Sequence, residues 1–170
     1  MKGFSHNAPS KRTSKGRIGM DFYPWLKLGH IFLAIVAVGT NITYGIWQAR
    51  AAREPQHLGW ALKGVKFLDD RVANPSYIGL GIIGVLLVLT GPWEFETLWV
   101  AVSIGLYIAL AVVGFALYSP TLSRQIRVYE TDGPDAAEFA SLGNRGRLYG
   151  AILAVLVVVI IVLMVIKPGT

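Results

Sequence analysis

Seven positions near the start of the chain, Lys27, His30, Ala34, Ala37, Asn41, Tyr44 and Gln48, recur every three or four residues. They gather the polar side chains of an otherwise aliphatic segment, and at about 100° per residue they share one stripe of a helix. Polar groups at membrane depth are costly, so the stripe is expected to face the interior of a bundle or a cavity. His30 is the one histidine within an uncharged segment. Its imidazole suits a ligand to haem or a metal, or a proton carrier. The competing reading is a structural histidine bonded to a backbone carbonyl or a neighbouring helix. His57 lies beyond the other end of the same helix and cannot complete a metal site with His30. Asn41, nearer the middle, reads as a hydrogen bond between helices or as a contact to a polar ligand. A second stripe holds Ser103, Tyr107, Ala111, Gly114 and Tyr118, with both tyrosines expected towards the first helix. Gly146, Gly150 and Ala154 recur every four residues, the small-residue spacing of close helix packing.

Other chemistry is excluded or finds no motif. The chain has no cysteine, which rules out disulfides, thiolate metal sites and thiol catalysis. It contains no phosphate loop, nucleophile elbow or metalloprotease helix. Asp69, Asp70, Asp132, Asp135 and Glu138 fall in hydrophilic connections and read as helix caps and ion-pair partners. No carboxylate lies within an uncharged segment, which argues against a proton pump of the usual carboxylate kind. The net charge of +6 is concentrated beside helix ends. That placement suits orientation in a bilayer and contact with anionic lipid, and not nucleic acid.

The elements that must position these residues follow from the charge pattern. The 170 residues are 54% hydrophobic and 15% charged, against roughly 25% charged in a soluble domain. Every Asp, Glu, Lys and Arg lies outside four segments, residues 28–49, 72–93, 97–123 and 148–166. Each segment exceeds the ~18 residues that mark a candidate membrane span. The fold class is all-α: a polytopic membrane protein, a four-transmembrane-helix bundle with amphipathic helical connections. Residues 1–20 read as a disordered basic tail. Residues 21–170 form the membrane domain, with helices over about 22–50, 74–91, 97–118 and 145–166.

The joints can also be read. Leu58, Ala61, Leu62, Val65, Leu68 and Val72 keep helical spacing between charged residues, so the first connection is an amphipathic helix. It either lies in the interface or continues a membrane helix into water. Asn74-Pro75 reads as a helix cap followed by a first-turn proline. Gly91-Pro92 opens a tight turn, with Trp93 and Trp99 as interface anchors. Ser119-Pro120 is expected to end the third helix, and Asp132-Gly133-Pro134 breaks the second amphipathic stretch. The two long connections carry nine Lys and Arg against seven on the opposite side. This favours both termini outside the inner membrane and the long connections in the cytoplasm.

The segments WLKLGHIFLAIVAVGTNITYGIW, FLDDRVANPSYIGLGIIGVLLVLTGPW and VLMVIKP together resemble a bacterial DUF-type family of predicted integral membrane proteins of unassigned function. The resemblance covers about residues 24–168. That family is loosely similar to the copper-resistance CopD-like proteins and the HemJ-like protoporphyrinogen oxidases, in which a histidine stands near the start of a membrane helix. His30 is the position that matches. The further intramembrane histidines and charged groups of the HemJ-like enzymes are missing here. Three functional readings follow. The first is a non-enzymatic accessory or structural membrane protein, with the lipid bilayer as partner and self-association through glycine faces. The second is a haem- or metal-associated redox protein using His30. The third is a small-solute transporter with a path lined by Asn41, Tyr44, Ser103 and Tyr107.

Overall fold

The computed structural model describes residues 17–169, so residues 1–16 of the expected tail at 1–20 lie outside them, while residues 17–20 are helical. The described residues form four long helices and no strand. Helix α1 is Arg17–Ala51, α2 is Pro55–Thr90, α3 is Leu98–Thr131 and α4 is Ala137–Ile166. All four contain stretches long and apolar enough to cross a membrane. Their 30 to 36 residues correspond to about 45–54 Å of helix, against a hydrocarbon core of ~30 Å. The long hydrophilic connections are therefore largely helix. The first reduces to the turn at residues 52–54, and α2 continues its membrane helix into water.

Three boundaries differ from those expected. Helix α1 begins at Arg17, so Pro24 stands inside it and not in its first turn. Neither Asn74-Pro75 nor Ser119-Pro120 is a helix end. Proline cannot donate to the preceding turn, and its ring crowds the carbonyl four residues back. In both helices a widened π-helical stretch, Asp69–Ala73 and Val112–Tyr118, absorbs this conflict just before the proline. Asn74 N–H bonds to the Asp69 carbonyl and Ser119 N–H to the Gly114 carbonyl, five residues back in each case. The Asp132–Gly133 break does occur, with Asp132 and Gly133 N–H both returning to the Val128 carbonyl and Gly133 at φ 86°.

Helix α1 packs along α2, and α3 packs along α4. The two pairs join where α2 lies beyond its apolar segment and α3 reaches the end of its own, through Leu62, Val65 and Leu122. There Gly59 admits Tyr129, since a β-carbon at Gly59 would lie 2.6 Å from its ring. Lys63 and Glu130 add an ion pair at 2.7 Å. At the opposite end Trp93 and Trp99 meet edge to face at 5.3 Å. Lys167 Nζ sits 4.6 Å from the centre of the Trp93 ring, tying the end of α4 to the α2–α3 turn. Helices α1 and α4 barely touch.

The chain has no native cysteine, so single-cysteine labelling can test the layout. Arg53→Cys and Asp132→Cys should react with an impermeant maleimide from one side of the membrane, and Glu96→Cys from the other. Labelling of positions 53 and 96 from the same side is incompatible with four spans.

Candidate functional site

Because α1 and α4 diverge, a cavity of about 410 Å³ remains between the two helix pairs. This is within the range of small-molecule sites. Val38, Ile42, Leu110, Phe115, Val157 and Val158 supply an apolar shaft. From Arg147 to Val158 the lining runs about 16 Å along α4. Its polar end gathers Gln48, Asp69, Asn74 and Arg147. Ile42 on α1 and Val158 on α4 are exposed, so the cavity is a cleft that opens sideways, where the bilayer would lie.

Glycines make the room. Gly45, Gly146 and Gly150 line the cleft, and a β-carbon on any of them would meet nothing within 4 Å. Within the chain, Gly146, Gly150 and Ala154 line the cleft, and the two glycines meet no neighbouring helix. Close approach occurs instead on α2. A β-carbon at Gly79 would lie 2.8 Å from Leu33, and one at Gly81 would lie 2.6 Å from Tyr107 Oη.

The first stripe divides by position. Ala37 is fully buried. Asn41 Nδ2 donates to Tyr77 Oη at 2.6 Å, bridging α1 and α2 while lining the cleft. Tyr44 is 5% exposed and lies parallel to Tyr118 of α3 with ring centres 6.1 Å apart. Its hydroxyl has no hydrogen-bond partner among the described residues. Gln48 Nε2 donates to Tyr118 Oη at 3.5 Å. Lys27 is exposed and does not face the bundle interior. A long ammonium side chain near a helix start keeps its charge in water more cheaply that way. Tyr107 Oη donates to the Tyr77 carbonyl at 2.6 Å, which places it against α2 and not α1. Ser103 is buried with no partner for its hydroxyl among the described residues, and neither Ser103 nor Tyr107 lines the cleft.

His30 also lies off the cleft. Its ring packs on Gly84, where a β-carbon would stand 3.4 Å from Cε1, and it meets the backbone at Leu80. Its Nδ1 is sealed in the helix interface. A haem or metal would have to part α1 from α2 to reach that nitrogen. Among the described residues no three of His, Cys, Asp and Glu come together as metal ligands.

The largest departure from the sequence reading is Asp69. Read as a solvated connection residue, it is 4% exposed and lines the polar end of the cleft. Lys66 Nζ lies 3.6 Å from Asp69 Oδ2 and donates to Asp70 Oδ1 at 2.6 Å and to Ser119 Oγ at 2.9 Å. Asn74 Nδ2 reaches Asp69 Oδ2 at 3.5 Å. One ammonium thus ties together the two widened helical stretches. A signal for Asp69 was present: Leu62, Val65, Asp69, Ala73, Ser76 and Leu80 recur at three and four residues, and all six are buried.

The match to known families is decisive on one point, since a family described as predicted integral membrane protein (DUF2269) matches residues 24–168. The chain belongs to the DUF2269 family. No curated protein and no solved structure matches it. The family match takes in all four membrane helices and every residue of the cleft, so the cleft of this DUF2269 protein lies wholly within the family region.

Two outcomes test the site's construction. Gly150→Ala should leave thermal stability in detergent unchanged or raise it by up to about 1 kcal/mol, because alanine favours the helix and meets no atom. Gly81→Ala should lower it, because Tyr107 must give up its bond to Tyr77. Equal effects would refute the cleft. Lys66→Met should cost about 3 kcal/mol by leaving Asp69 buried without a cation. Adding Asp69→Asn should recover much of that loss, and no recovery would mean that Asp69 is not the residue Lys66 compensates.

Proposed function

We propose that this protein is a non-enzymatic accessory component of the bacterial inner membrane that holds one chain-bearing amphipathic molecule in the cleft between α1 and α4. The observation that carries this reading is the pairing of an apolar, glycine-floored shaft, open towards the bilayer, with a polar end at the level where charged residues begin. A hydrocarbon chain entering from the bilayer keeps an apolar environment, and its head group meets Gln48, Asn74 and Arg147. Converging acid–base or metal chemistry plays no part in the reading. His30 and Asn41 act as contacts between α1 and α2, supported by the packing of His30 on Gly84 and the Asn41–Tyr77 bond. The orientation adopted has both termini outside and the water-exposed ends of α2 and α3 in the cytoplasm. It is supported by the nine Lys and Arg of that end.

Native mass spectrometry of the protein, released from a mild detergent, tests the reading. The wild type should carry one co-purified amphipathic adduct. Gly150→Phe combined with Gly146→Leu fills the shaft and should cut adduct occupancy at least about tenfold, which corresponds to ~1.4 kcal/mol, with the melting temperature maintained. An adduct that persists at wild-type occupancy in the filled variant would sink the proposal.

A further inference from the structure

The charged groups around the cleft are unequally partnered. Its carboxylate, Asp69, is held by Lys66 and Asn74. Asp70, Glu130, Glu138 and Glu54 at the same end of the bundle are each paired with a cation. Arg147 differs: its Nη2 donates to the neutral amide of Asn144 one turn back, and no carboxylate pairs with it among the described residues. The cation left for a ligand at the cleft is therefore the Arg147 guanidinium at the rim. An oxyanion satisfies such a donor best, because charge-assisted bonds to a guanidinium are roughly twice as strong as neutral ones and often paired.

Resting on the cleft reading above, we infer that the molecule held there is a long-chain anion, its chain in the shaft and its phosphate or carboxylate on Arg147. The neutral amide of Asn144 holds the guanidinium at the rim without neutralising it.

Three chain-matched probes test this on the full-length protein: oleate, oleyl alcohol and oleoyl lysophosphatidate, each added at equal concentration and read by native mass spectrometry. At least one of the two anions should occupy the protein about tenfold more than the alcohol. The better of them identifies the source as a free fatty acid or a phospholipid head group. Arg147→Gln should abolish the preference while leaving the alcohol unchanged, and Arg127→Gln, a cation outside the cleft, should not. A wild-type check independent of folding is salt: raising it from about 0.05 to 0.5 M should weaken the anions and spare the alcohol. The anion assignment falls if the alcohol binds as well as both anions, or if Arg127→Gln acts as strongly as Arg147→Gln. It stands apart from the cleft reading, which falls if Gly150→Phe with Gly146→Leu displaces none of the three probes.

Discussion

The hydrophobic effect acts only where there is water to escape. Within a bilayer, lipid tails solvate apolar side chains as well as protein does, and helices associate through close packing and interhelical hydrogen bonds. Both regimes are visible here. Leu62, Val65 and Leu122, among the most buried side chains, lie where α2 and α3 leave their apolar segments. There the two helix pairs are welded together. Deeper in the apolar region the pairs are held by particular contacts, Tyr77 with Asn41 and Tyr107, and glycines that admit Leu33 and Tyr107. Without a solvent force to close it, the α1–α4 side stays apart, and the cleft is the result.

The two prolines matter because the helices pass through them. Had α2 begun at Asn74, the residues before it would have formed a separate surface helix, and Lys66 and Asp69 would have stayed in water. The widened stretches keep α2 and α3 continuous, carrying Lys66, Asp69 and Ser119 to a shared level. A buried carboxylate is tolerable only with compensation. Lys66 supplies it while spanning both helices, so electrostatic need and mechanical connection coincide in one side chain.

Much of the architecture was legible in the sequence because a bilayer imposes a coarse rule. Uncharged runs of sufficient length must be helices with their backbone bonds satisfied internally. The tight turn after Gly91 and the break at Asp132–Gly133 followed from local turn chemistry. The site was read less completely. Prolines point to helix ends because their local preference is strong, and a π-helical stretch has no compositional signature that outweighs it. The charge of Asp69 points to solvent, while its place four residues after Val65 puts it on the buried stripe. The glycines of α4 show the limit of spacing alone: every fourth residue small fits either a neighbouring helix or an empty space, and only the placement of α1 decides between them.

A bundle packed on three sides and parted on the fourth behaves like a book whose spine is α2 and α3 and whose covers are α1 and α4. Helices lie about 9 Å from their packed neighbours, so swinging either cover by about 10° about the spine changes the width of the mouth by ~1.5 Å. The weld at one end holds the spine, and the Lys167–Trp93 contact at the other ties the end of α4 to it. The mouth faces the surrounding lipid, so lateral pressure in the bilayer bears directly on its width.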